Sequence, residues 1–203
     1  MIETIDNSVQ FAATLVCCAI SAALHFKRRS AEHFLLAAFY GCFALGLLYW
    51  TLYLVLFEAT PGTFYVSEIV WISSCIFLCL LQYTLASPAE RASRRPVMYI
   101  APVSGVVLFA VFFFADGGDL FSDIMRCCVM SALVWGAVRG LAFEGHRRFH
   151  VAMLCFVCAE YSLWLSSITW LGDTLANPYF WIDFALTGIL VSLLPAAGKG
   201  AGA

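Results

Sequence analysis

Long apolar stretches, separated by short polar breaks, run the length of the chain. A helix needs roughly 20 mostly apolar residues to cross a bilayer core about 30 Å thick. Seven stretches reach or approach this length, at approximately 9–26, 32–57, 64–87, 97–115, 120–143, 149–171 and 179–194. Turn-forming residues such as Pro61-Gly62 and Asn177-Pro178 separate them. Because the connections are short, we expect helices adjacent in sequence to pack as antiparallel neighbours.

The pattern predicts an all-α, polytopic membrane protein with seven transmembrane helices in one domain, 1–203. The bundle is expected over 8–194, with a short tail over 195–203. Composition agrees, because 63% of the residues are hydrophobic, 12% are charged and the mean hydropathy is +0.89. A water-soluble domain needs about twice that charge. This excludes a soluble enzyme, a disordered chain and a basic nucleic-acid-binding module.

The placement of charge predicts the orientation of the bundle. Basic residues fall in the odd-numbered connections, at the end of the fifth stretch and in the tail: Lys27, Arg28, Arg29, Arg91, Arg94, Arg95, Arg139, Arg147, Arg148 and Lys199. The N-terminal segment and the even-numbered connections hold acids instead: Glu3, Asp6, Glu58, Asp116, Asp119 and Asp173. Since basic loops stay in the cytoplasm, we expect the N-terminus outside and the C-terminus in the cytoplasm.

Five ionisable residues lie at membrane depth, and such residues are functional candidates because their burial is costly. They are Glu68, Asp123, Arg126, Glu160 and Asp183, all at the midplane or in the outer half. We therefore predict a polar pocket that opens outward. Arg126 could pair with Asp123 on its own helix or reach Glu160, which we expect to anchor a ligand. In the alternative interpretation, Glu68, Asp123 and Asp183 face headgroups and water.

Aromatic residues cluster at the same depth. An interfacial belt accounts for Tyr65, Trp170, Tyr179 and Trp181. Deeper aromatics beside carboxyl groups suit an organic cation or an apolar ligand with one polar group, although ordinary helix packing also uses them. The predicted ligand-binding set is Trp50, Tyr53, Glu68, Trp71, Asp123, Arg126, Glu160, Tyr161, Trp164 and Asp183.

The sequence offers no residues for the common membrane cofactors or catalytic groups. Retinal needs a lysine inside the bundle, but Lys27 and Lys199 are both expected at the cytoplasmic side. A membrane haem needs paired histidines at matched depth, and all four histidines are expected at the cytoplasmic edge. We therefore predict no cofactor, no metal and no enzyme activity, with an enzyme that uses carboxyl groups alone left open.

Part of the chain resembles a known family. The end of the second stretch, 48–58, reads Leu-Tyr-Trp-Thr-Leu-Tyr-Leu-Val-Leu-Phe-Glu, and a run from Trp71 to Tyr83, a basic loop and the turn at 99–102 follow. From about Arg28 to Phe114 this pattern resembles the seven-helix membrane sensor region at the N-terminus of some bacterial histidine kinases. The resemblance implies the same topology and a sensor of a small ligand or of the membrane state. No output domain follows the last stretch, so we expect a separate output protein on the basic loops or a truncated chain.

Our leading hypothesis is a non-enzymatic sensory or small-ligand-binding protein of the bacterial cytoplasmic membrane. Two alternatives remain: a small-solute or proton-coupled transporter, and an accessory subunit of a larger membrane complex. We expect membrane lipid as a partner, together with a small and perhaps cationic ligand and a cytoplasmic or membrane protein. Nucleic acid is not expected.

Overall fold

The structure, a computed structural model, describes residues 1–61, 65–115, 120–170 and 172–198. Its helices are α1 (Ile2–Arg28), α2 (Ala31–Phe57), α3 (Tyr65–Leu85), α4 (Pro88–Ala92), α5 (Ile100–Ala115), α6 (Leu120–Gly140), α7 (Arg147–Thr169) and α8 (Pro178–Gly198). A 3₁₀ turn, Pro96–Tyr99, leads into α5. Residues Gly62, Asp116, Asp119 and Lys199, used in the predictions above, lie outside the described residues, as do positions 64 and 171.

Seven of these helices are long and apolar enough to cross a membrane, and only the short α4 is not. Many large apolar side chains on the outside of the bundle are exposed, for example Ile20, Leu45 and Val106. Lipid is the solvent that suits such a surface. The predicted all-helical class, with seven helices suited to crossing a membrane, is therefore confirmed for the described part of the chain.

Six helices form a closed ring. In ring order, α1 packs on α2, α2 on α3, α3 on α6, α6 on α7, α7 on α8 and α8 on α1. Helix α5 lies outside this ring, where Leu108 and Phe112 pack against Cys127 of α6 and Trp164 of α7. The sequential antiparallel neighbours expected from the short connections are present, except that α3 is followed in the ring by α6.

The two ends of the bundle differ. Helix α1 begins at what we call the N-terminal end, and the opposite, basic end carries the α1–α2, α3–α5 and α6–α7 connections with their arginines. Between them the ring is filled by large apolar side chains that are 0–1% exposed: Phe39, Tyr40, Leu133, Met153, Phe156, Leu186 and Leu190. This apolar core occupies the part of the ring that leads to the basic end.

Helix α1 begins well before the predicted start at position 9. Its first turns carry Asp6, Asn7 and Gln10, which are 0–6% exposed. These polar residues lower the local hydropathy, so the apolar pattern alone places the boundary too late. Gln10 follows Asn7 by three positions and Asp6 by four, so it shares a helix face with both, and this face is turned into the bundle. At the other terminus, α8 continues through Pro195 into the predicted tail.

The α3–α5 connection folds into the basic end of the bundle. Its short helix α4 is capped by Ser87, whose hydroxyl accepts a hydrogen bond from the Glu90 amide at 3.1 Å. Glu90 itself is 4% exposed and lies 3.6 Å from Nε2 of His150 on α7. Burial raises the pKa of this carboxyl, and the positive charge of Arg139 opposes that shift. Glu90 thus places a buried carboxyl group of α4 beside His150 of α7.

Candidate functional site

A cavity of about 810 Å³ lies inside the helix ring and reaches the N-terminal end. At its mouth are the exposed residues Thr60, Trp170 and Asp173, which belong to the connections at that end. Eight of the ten predicted site residues line it: Trp50, Glu68, Trp71, Asp123, Arg126, Glu160, Trp164 and Asp183. The ring therefore gathers residues from α2, α3, α6, α7 and α8 around one space.

Arg126 is held in the cavity wall by Glu68. One guanidinium nitrogen donates to Oε1 of Glu68 at 2.6 Å, and the Ser122 hydroxyl donates to Oε2 at 2.6 Å. The guanidinium also lies over the Trp164 ring, 4.3 Å from its centroid. The expected pairing of Arg126 with Glu160 is therefore wrong: the ion pair crosses from α6 to α3, because these two helices are neighbours in the ring.

The carboxyl groups predicted at the rim are enclosed. Asp123 and Asp183 are 8% and 3% exposed, and both line the cavity. The Asp183 Oδ1 accepts a hydrogen bond from Nε2 of Gln10 on α1 at 2.6 Å. These two acids therefore line the cavity rather than the outer surface of the bundle.

Glu160 is the deepest carboxyl group of the cavity. It lies on α7, is 7% exposed, and is followed toward the basic end by the fully buried Phe156 and Met153 one and two turns away. Among the described residues, no hydrogen bond or ion pair within normal distance joins its carboxyl group to another side chain. Its carboxyl group instead faces the cavity.

The indole rings of Trp50 and Trp71 form one wall of the cavity. Trp50 donates through Nε1 to Oε1 of Glu3 at 2.9 Å, and its ring lies 6.0 Å from that of Trp71. The edge of Trp71 rests against Gly46, where an added Cβ would come within 2.6 Å of Nε1. The glycine on α2 thus lets the indole edge of Trp71 on α3 approach the neighbouring helix closely.

Two predicted residues are not brought to the cavity. Tyr53 packs between Tyr49 and Phe57 along α2, with its ring tilted against both. Tyr161 packs beside Trp164, in the contact between α7 and the outer helix α5. Neither side chain lines the cavity, and hydropathy does not record the direction in which a side chain points.

The α7–α8 connection closes over the start of α1. The carboxyl group of Asp173 pairs with the amino terminus at Met1 and accepts a hydrogen bond from the Glu3 amide at 2.9 Å. The bond from the amino terminus lowers the pKa of Asp173 below its usual value. An ionised carboxylate at a helix N-terminus stabilises the helix through its free N–H groups and its dipole.

Residues of α1 also line the cavity and were not predicted to do so: Glu3, Asn7 and Gln10. The signal for them is the polar face of this helix, in which residues 3, 7, 10 and 14 follow helical spacing. With them, six carboxyl side chains face one guanidinium among the described lining residues. The cavity is therefore acidic and aromatic.

Within the described part of the chain, no group of three His, Cys, Asp or Glu side chains is arranged to hold a metal ion. Comparisons with protein-family models, with curated proteins and with solved structures return no match. The function proposed below therefore depends on the geometry of the cavity.

Proposed function

We propose that the protein is a membrane receptor that binds a small organic cation in this cavity. The observation that carries the proposal is the position of Glu160, a nearly buried carboxyl group that faces the cavity and forms no ion pair among the described residues. A carboxylate in a low-dielectric site needs a counter-charge. A bound cation supplies it.

The balance of charge favours a cation over an anion or a neutral ligand. Arg126 is the one guanidinium among the described lining residues, and its charge is already matched by Glu68 and by the face of Trp164. Trp50 and Trp71 add aromatic surface, and a desolvated cation gains roughly 2 kcal/mol from such a ring. The volume lies within the range of about 300–1,000 Å³ that is typical of small-ligand pockets.

We further propose that the cavity opens to the outside of a bacterial cytoplasmic membrane. The basic residues that favour the cytoplasm lie at the end opposite to the cavity, and the acids of the N-terminal end surround its mouth. This is the arrangement expected from the preference of basic loops for the cytoplasmic side. Periplasmic or external solutes would then reach Glu160 directly.

A receptor explains the apolar core better than a transporter does. Between Glu160 and the basic end, Met153, Phe156 and Leu190 are each 0% exposed, so the cavity is closed on that side. Helix α7 connects Glu160 to the basic connection before Arg147, and a ligand that shifts α7 changes the surface offered to a cytoplasmic partner. This is the sensor role implied by the family resemblance.

Thermal stability of the purified protein with choline tests the proposal. We expect choline to raise the unfolding temperature, whereas its uncharged isostere 3,3-dimethylbutan-1-ol does not, because only the cation matches Glu160. The Glu160→Gln variant should weaken choline binding at least about tenfold, or ~1.4 kcal/mol. Glu144→Gln serves as the control, since Glu144 is exposed at the basic end.

Equal stabilisation of the wild type and Glu160→Gln, or equal effects of choline and its neutral isostere, contradicts the proposal.

Reconstituted vesicles separate the receptor from the transporter. Saturable choline binding without uptake supports the receptor, and uptake that collapses with the proton gradient supports the transporter.

A further inference from the structure

Two carboxyl groups face each other where α1 packs against α8. Asp6 and Asp183 are 0% and 3% exposed, and their carboxyl groups interact across this contact, where Gln10, one turn after Asp6, donates to Asp183. Neither residue is on the surface of the bundle, and Asp183 alone of the two lines the cavity. The contact therefore lies in the cavity wall, shielded from solvent by both helices.

The hydrogen-bond donors around this contact serve only one of the two acids. The Gln10 amide donates to Asp183 at 2.6 Å and to the Thr187 hydroxyl at 3.1 Å. Both oxygens of Asp6 are buried, and neither accepts a hydrogen bond from an N–H or O–H group of the described residues. A donor is thus missing at the point where the two carboxyl groups meet.

We propose that Asp6 and Asp183 together bind one proton. Two carboxylates in contact repel each other, and burial adds the cost of removing both charges from water. A single shared proton turns one acid into the missing donor and leaves one negative charge on the pair. The pair then titrates as a unit.

The groups around the pair are acidic. Those that face it are Glu3 on α1, Glu160 on α7 and Tyr179 on α8. Helix α2, which also packs on α1, carries no Asp, Glu, Lys, Arg or His between His33 and Glu58. These neighbours add negative potential, which strengthens the attraction for a proton.

The proton site has a consequence for the cavity that depends on the proposed function. A cation beside Glu160 and Asp183 lowers the negative potential at the pair, so binding of the cation favours release of the proton, and the two ligands oppose each other. The proton site itself does not depend on any organic ligand. It is therefore tested without one.

Infrared spectroscopy of the purified protein in lipid nanodiscs tests the proton directly. At neutral pH we expect a protonated-carboxyl C=O band, recognised by its shift in D₂O, that is lost in Asp6→Asn and in Asp183→Asn. Both variants keep a donor in the contact, because the Asn amide N–H replaces the shared proton. Either variant alone decides the test if the other does not fold.

The control is Asp173→Asn, which removes a carboxyl group at the same end of the bundle outside the pair; the band should persist there. A spectrum without such a band, or a band that only Glu160→Gln removes, overturns the proposal. So does a band that emerges only after sodium is removed, because the pair would then hold a sodium ion. Choline plays no part here, so failure of the receptor proposal leaves this result interpretable.

Discussion

The ion pair between Glu68 and Arg126 determines how the cavity wall is arranged. Both side chains are largely enclosed, at 15% and 19% exposed, and the guanidinium is sandwiched between the carboxylate and the Trp164 ring. A charge-assisted hydrogen bond of this kind contributes more than a neutral one. The pair therefore orients Arg126 away from Glu160 and joins α3 to α6.

We predict that Glu68→Gln lowers the free energy of unfolding by about 1–3 kcal/mol, because the guanidinium loses its charged acceptor. A double-mutant cycle with Arg126→Gln, followed by unfolding of the purified protein, measures the coupling of the pair. Coupling above about 0.5 kcal/mol is expected for residues in contact. Strictly additive effects of the two substitutions would contradict the assigned partner.

Gly46 gives a second prediction, because it makes room for Trp71. In Gly46→Ala the new Cβ would lie 2.6 Å from the indole Nε1, so the ring must move toward the cavity. Overpacking of this kind costs about 1–3 kcal/mol. We expect a lower unfolding temperature and altered tryptophan fluorescence.

Gly188→Ala is the matched control. Gly188 is also inside a helix, but a Cβ there meets no atom within 4 Å. Alanine in a helix interior is favoured over glycine by about 0.5–1 kcal/mol, so this variant should be neutral or slightly more stable. If both alanine variants behave alike, Trp71 does not lie against Gly46.

At the scale of elements, the sequence predicts the seven long apolar helices well because hydropathy is a local property. The hydropathy pattern does not indicate α4, because this helix has only five residues and they show no regular spacing of apolar positions. Its structural features are the cap and one buried glutamate. The start of α1 is placed too late because its polar face points inward, and hydropathy treats every polar residue as a boundary.

The cavity residues follow from the same physics, since an ionisable side chain at membrane depth must turn away from lipid. This places Glu160, Arg126 and Asp183 in the interior without knowledge of the fold. The partner of Arg126 does not follow, because it depends on α3 and α6 being neighbours in the ring, which adjacency in sequence does not indicate. The order of the helices in the ring, rather than residue type, decides which acid pairs with Arg126.

Helix α4 supplies a prediction about pH. The pKa of Glu90 is raised from its ordinary 4.5 by burial, so the folded state binds the Glu90 proton more tightly than the unfolded state does. Its stabilising contribution is complete below the unfolded-state pKa and is lost as pH rises through the folded-state value. In Glu90→Gln we expect the free energy of unfolding to fall less between about pH 4 and pH 7 than in the wild type.

Unfolding curves at several pH values check this, with Glu144→Gln as the control because that residue is exposed at the same end. The control should keep the wild-type pH dependence. A steeper decline in Glu90→Gln than in the wild type would mean that the carboxylate is stabilised by Arg139 more than it is penalised by burial.

At the scale of the whole molecule, the closed ring of six helices separates two environments along one axis. An acidic and aromatic cavity occupies the N-terminal end, and an apolar core closes the ring toward the basic end. A bundle whose helices packed more tightly would leave no room for buried carboxyl groups without partners. The account therefore depends on Glu160 facing an open cavity rather than lipid or a packed core.

The most direct measurement is the rate at which a water-soluble carbodiimide modifies Glu160 in nanodiscs, located by mass spectrometry with and without tetramethylammonium. We predict that Glu160 is modified despite its depth, because the cavity admits water, and that tetramethylammonium slows the reaction by occupying the same space. A Glu160 that stays unmodified, or one whose modification rate is unchanged by the cation, would contradict the central claim.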